Sequence, residues 1–122
     1  TRRVYDAATV GSVDARVASV GRFGATALGS DTIVVSFADA RLQTRTAAGA
    51  VTLNANNYTA DREVVAVVTN GTGGAVAVTA VGAWVWLTDQ PTTLAAGERG
   101  VLSLLSTTAV EGGTFAAWVV EL

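Results

Sequence analysis

A chain of 122 residues, half of them apolar, is one domain with a single core. Its formal charge of −2, with eight arginines and no lysine, supplies no basic footprint for nucleic acid and no polybasic patch for an anionic membrane. With no cysteine, histidine or methionine, it has no disulfide, no thiolate or imidazole metal site and no Ser-His-Asp chemistry.

The first stretch, Thr1–Ser30, is poor in bulk and carries glycine at 11, 21, 24 and 29. Val10, Val13, Val17 and Val20 have helical spacing, and Ser12 could cap such a helix. Valine and glycine are poor helix formers, which favours an extended arm. Arg2, Arg3, Arg16 and Arg22 lie in it, with Tyr5 and Phe23. The arm reads either as a solvated tail or as a segment that docks on a neighbouring protein, its arginines meeting carboxylates. Its first residues are polar and charged, so no signal peptide is expected, and no apolar run is long enough to span a bilayer. Thr1 is what removal of an initiator methionine leaves, and equally what trimming of a longer chain leaves.

From Asp31 the pattern becomes that of strands. Thr32–Phe37, Arg41–Thr46 and Ala50–Asn54 are predicted strands, the last ending in the turn-rich Asn54-Ala55-Asn56-Asn57. Glu63–Thr69 and Ala75–Val81 are β-branched runs flanking Asn70-Gly71-Thr72-Gly73-Gly74, and they predict a β-hairpin. On the first run Val64, Ala66 and Val68 face one way and Glu63, Val65 and Val67 the other. Both faces are largely apolar, as in a strand buried between two layers. Ala83–Leu87 continues or pairs nearby. Thr88–Thr93 is a loop, because Pro91 offers no ladder donor, and Leu94–Gly100 is a turn. Val101–Ser106 and Thr114–Leu122 are the closing strands. This cadence predicts an all-β fold, an antiparallel, jelly-roll-like β-sandwich over residues 31–122, with an N-terminal arm over 1–30.

Few residues offer chemistry. Gly71-Thr72-Gly73-Gly74 lacks the lysine and the following helix that a phosphate loop needs, so it reads as a turn. Asn57-Tyr58-Thr59 and Asn70-Gly71-Thr72 fit the glycosylation pattern, which short Thr- and Asn-rich runs produce by chance. The ten carboxylates form no paired motif and no calcium-loop spacing. Trp84, Trp86 and Trp118 read as core or interface residues, or as indoles that stack on a sugar. No enzyme activity and no cofactor are expected.

The runs Val67-Val68-Thr69-Asn70-Gly71, Ala75-Val76-Ala77-Val78-Thr79, Trp84-Val85-Trp86, Gln90-Pro91-Thr92 and Leu94-Ala95-Ala96-Gly97 follow one another in that order. Val101-Leu102-Ser103-Leu104 and Trp118-Val119-Val120 complete the series. The series resembles a β-module of tailed-bacteriophage virion proteins, found in tail fibres, receptor-binding appendages and small head-decoration proteins. It covers roughly residues 54–122 and leaves out the arm. The resemblance implies an antiparallel sandwich that trimerises. This chain lacks the repetitive shaft of the fibre members, which favours a small stand-alone subunit. The expected function is therefore a capsid decoration or cement protein, or a head appendage, made in the host cytoplasm and placed on the virion exterior. Its partners would be copies of itself and the major capsid or a tail protein. The alternative is a fibre-type module that binds host-surface glycan. Expected contacts are Arg2, Arg3, Tyr5, Arg16, Arg22, Phe23, Trp84, Trp86 and Trp118.

Overall fold

The computed structural model describes residues 25–121. Ten strands follow one another: β1 Ala25–Ala27, β2 Thr32–Ser36, β3 Leu42–Ala47, β4 Val51–Asn56, β5 Arg62–Asn70, β6 Val76–Ala80, β7 Val85–Trp86, β8 Thr93–Leu94, β9 Arg99–Ser106 and β10 Thr114–Glu121. A 3-10 turn, Glu111–Gly113, precedes β10. Among the described residues no helix is long and apolar enough to cross a membrane.

The strands form two sheets, one ordered β1-β3-β5-β9-β10-β7 and the other β2-β4-β6-β8. Alternation decides which side chains meet between them, because successive residues of a strand point to opposite faces. Ile33, Val35, Val51, Leu53, Val76 and Val78 turn inward from the smaller sheet. Val64, Ala66, Val68, Leu102, Leu104 and Ala116 do so from the larger. Together they make one core, which Phe37, Leu94, Trp84 and Trp118 complete. The expected all-β sandwich is present.

Strand direction differs from the expected antiparallel pattern. β1, β3 and β5 run parallel in the larger sheet, and β2, β4 and β6 run parallel in the smaller. The β5–β9, β9–β10 and β6–β8 pairs are antiparallel, and β7 runs parallel to β10. The chain therefore alternates between the sheets from β1 to β9. The β9–β10 hairpin lies between β5 and the edge strand β7 in the larger sheet.

The expected hairpin of β5 and β6 is instead an arch between sheets. After Asn70 the chain crosses the core, and β6 pairs with β4 rather than with β5. The reason lies in the Asn70 side chain, which is buried at the crossing. Its amide donates to the Gly74 and Leu94 carbonyls at 2.8 and 3.0 Å, and its oxygen accepts from the Thr72 backbone and hydroxyl. These bonds hold residues 71–75 across the edge of the sandwich, where a two-residue turn would have folded them back in one sheet.

Neighbouring crossings brace one another. The Asp31 carboxylate at the first crossing takes the Arg45 guanidinium at 2.9 Å and the Ala48 backbone N–H of the second. The Gly71 N–H of the third donates to the Ala47 carbonyl. At the opposite end Asn57 and Asp61 take positive φ values of 54° and 60°, where the chain turns from β4 into β5. Asn and Asp tolerate that region better than other non-glycine residues. Ala25–Ala27, at the end of the segment read as an arm, lies as β1 beside β3. Thr93–Leu94, read as loop and turn, forms β8 beside β6.

Candidate functional site

The two outer faces of the sandwich differ in chemistry. On the smaller sheet the outward positions are Thr32, Val34, Thr52, Asn54, Thr79 and Thr93, with threonines 32, 52 and 79 in register. This is an ordinary wetted face. On the larger sheet register lines up three rows of outward residues. Glu63, Leu105, Phe115 and Val85 form the first row. Leu42, Val65, Ser103 and Ala117 form the second, and Thr44, Val67, Val101 and Val119 the third. Leu87, just past β7, is 68% exposed and Val119 is 59% exposed.

Charge borders this apolar field at both ends. Arg41 pairs with Glu63 at 2.5 Å beside the first row. Arg99 pairs with Glu121 beyond the third. A cleft of about 390 Å³ opens in the field between Glu63, Leu87, Ser103, Leu105, Phe115 and Ala117. Its walls are methyl groups and one ring, with a carboxylate and a hydroxyl at the rim. Such a surface gains free energy by losing water to another apolar surface and has few groups for bond chemistry.

Of the expected contact residues, Arg2, Arg3, Tyr5, Arg16, Arg22 and Phe23 lie outside the described residues. Trp84 and Trp118 are in the core, at 6% and 8% exposure. Trp86 packs against that core, with its ring centroid 5.8 Å from that of Trp84. Each buried indole lies over a glycine. A Cβ at Gly82 would meet the Trp84 ring at 2.2 Å, and one at Gly100 would meet the Trp118 ring at 2.1 Å. The structure brings Trp84 and Trp86 together, and Trp118 stands on β10, the strand paired with β7. The field on the larger sheet was missed as a site, although the two apolar faces of β5 are its sequence signal.

The other sequence candidates have structural roles. Asn70 is fully engaged in its crossing and its amide is not presented for glycosylation. Asn57 donates its amide to Ser36 Oγ at 2.9 Å. The described residues contain no group of three or more carboxylates that could hold a metal.

Tyr58 closes one end of the core, where its hydroxyl accepts the Trp84 Nε1–H at 2.9 Å and its ring lies 5.3 Å from that of Phe37. Burial raises the Tyr58 phenol above its ordinary 10.0, and the nearby Glu111 charge adds to this against the lowering effect of the Trp84 bond. A phenol raised in the folded chain ionises first in the unfolded chain. Stability from Tyr58 is therefore intact below the unfolded value and is lost as pH climbs from it through the folded value. Unfolding in urea between about pH 9 and about pH 11 should show a falling midpoint, and Tyr58→Phe should flatten that fall. An equal slope in both proteins would contradict the assignment.

Compared with known protein families, with curated proteins and with solved structures, the chain matches none.

Proposed function

We propose that this chain is a structural subunit of a tailed-bacteriophage particle. In this reading it is a decoration or cement protein on the virion exterior, assembled with copies of itself through the outer face of its six-stranded sheet. The observation that carries the reading is the contrast between the two outer faces of one sandwich. A face mostly of threonine and asparagine, with Val34 among them, needs no partner, whereas the opposite face spends leucine, valine and phenylalanine on water.

The field has a definite size. Each row spans four strands, so strands about 4.8 Å apart and outward residues about 6.6 Å apart give its twelve positions an area on the order of 400 Å². Two such faces in contact would remove about 800 Å² from water, so an assembly that clears the roughly 1,000 Å² of a specific interface also draws on surface beside the field. The ion pairs at both ends suit a second copy, since each end offers both signs to its counterpart. Three copies with this face turned to a common axis match the trimer that the phage-module resemblance implies.

The glycan-binding alternative has less support, because two of the three indoles are core residues. The test adds purified protein to particles that lack it. Wild-type protein should co-sediment with particles in fixed stoichiometry, and Leu105→Arg should not. Binding of isolated protein to host-surface glycan, without particle affinity, would favour the alternative and overturn this reading.

A further inference from the structure

We propose that Gln43 closes the β2 edge of the smaller sheet to strand addition, and that without its carboxamide the β2 strands of two copies pair across a two-fold axis. β2 is an edge strand of that sheet. An edge strand offers ladder groups on one side, and chains join there unless something covers or blunts it.

The hydrogen bonds show how this edge is closed. Thr52 N–H donates to the Asp31 carbonyl, and Phe37 N–H donates to the Asn56 carbonyl. In a parallel ladder alternate residues address opposite sides. Asp31, Ile33, Val35 and Phe37 thus face β4, while Thr32, Val34 and Ser36 face away from it. Ser36 has nothing left to offer a fifth strand. Its N–H donates to Gln43 Oε1 at 3.1 Å. Its carbonyl accepts Gln43 Nε2–H at 2.7 Å and the Asp39 N–H at 3.2 Å, which fills both lone pairs. At the other end of β2 the Thr32 N–H donates to the exposed Ser30 hydroxyl. Val34, between them, keeps its N–H and carbonyl free among the described residues.

Gln43 is fixed for this task from the opposite sheet. It stands on β3 with its side chain fully buried, and its second amide hydrogen goes to the Ala40 carbonyl at 3.0 Å. A carboxamide offers an acceptor and donors of the same kind as a backbone peptide. It therefore stands in for the strand that it excludes.

Symmetry names what enters when the block is lifted. Let two copies of β2 lie antiparallel about a two-fold axis at Val34. Each Val34 then faces the other, and on both sides of the axis Thr32 faces Ser36. These are the residues whose ladder groups point away from β4. Each flanking pair contains one Ser36, so closing Ser36 removes both. The central pair that remains is too little to hold two strands together.

The edge and the apolar field lie on different sheets, so closure of the edge is independent of the oligomer proposed above. The full chain has no natural cysteine, which permits a direct test. Val34→Cys places a thiol at the two-fold position, where facing Cα atoms of a hydrogen-bonded antiparallel pair lie about 5.5 Å apart, within disulfide reach. Gln43→Ala removes both the bonds and the bulk of the block. Added to Val34→Cys, it should speed disulfide formation between copies under mild oxidation by about tenfold or more. Thr79→Cys lies on the same outer face but on the inner strand β6, and it should gain nothing from Gln43→Ala. Equal gains at the two positions, or no gain at Val34, overturn the proposal. Gln43→Ala also costs stability, so the unsubstituted chain supplies a second readout. In it the Ser36 amide should be protected from exchange about tenfold or more above the Val34 amide. Equal protection of the two amides would also overturn it.

Discussion

Asn70→Ala is expected to lower the stability of the fold by about 3 kcal/mol. The Asn70 carboxamide makes four hydrogen bonds at the crossing from β5 to β6. Removing it takes one donor from the buried Leu94 carbonyl, which keeps its ladder pairing with Val76, and leaves residues 71–75 held only by the Gly71 bond to Ala47 and the bonds between Thr72 and Gly74. Each hydrogen bond lost costs about 1 kcal/mol, and those at the buried end cost the most. The backbone bonds of Asn70 to Glu98 and Gly97 survive the change, so the protein should fold but unfold at a lower urea concentration with an unchanged slope. Asn70→Asp should be at least as harmful, because it removes both donors and buries a charge. A loss below about 1 kcal/mol for the alanine variant would mean that the crossing is held by its backbone alone.

Gln43→Ala should be of similar or larger effect, about 3–5 kcal/mol. Gln43 is fully buried, and its amide group serves Ser36 N–H, the Ser36 carbonyl and the Ala40 carbonyl. Truncation takes the Gln43 partner from the Ser36 N–H and the Ala40 carbonyl, while the Ser36 carbonyl keeps the Asp39 N–H, and it opens a cavity. Gln43→Leu separates these two costs. It keeps the volume and loses every hydrogen bond, so it should be no better than alanine if the polar contribution dominates. Recovery of most of the stability by leucine, read from urea unfolding, would show that packing governs this position.

The strands themselves were legible. Thr32–Ser36, Val51–Asn56, Arg62–Asn70 and Thr114–Glu121 stand where β-branched runs between turn residues place them, because local propensity and burial agree there. The direction of pairing was not legible. A Gly-rich turn between two valine runs serves a hairpin and an inter-sheet crossing equally well. What separates them here is the long-range bond from Asn70 to Leu94, 24 residues away. Gln43 gave no signal for the same reason, since its partners depend on how β2 and β3 meet across the sandwich. The apolar field was half legible. Both faces of β5 are visibly apolar, and this reads as burial between layers. Only the register of β3, β5, β9 and β10 shows that Val65, Val67, Val101 and Val119 share a face with no third layer among the described residues. The tryptophans read as core or interface residues ahead of sugar-stacking ones, and Gly82 and Gly100 provide the space that seats two of them in the core.

The central claim is that the outer face of the six-stranded sheet joins copies of this chain. Sedimentation velocity of the full chain and of Leu105→Arg, at matched concentration and ionic strength, tests it most directly. Leu105 is 44% exposed in the first row of the field, across from Glu63, so arginine can be held in solvent in a free subunit but would have to be desolvated in the assembly, a cost that its attraction to Glu63 offsets only in part. The expected result is a wild-type species of three chain masses and a Leu105→Arg species of one, with the same urea midpoint for the isolated fold. A wild-type monomer, or an oligomer that Leu105→Arg leaves intact, would contradict the account.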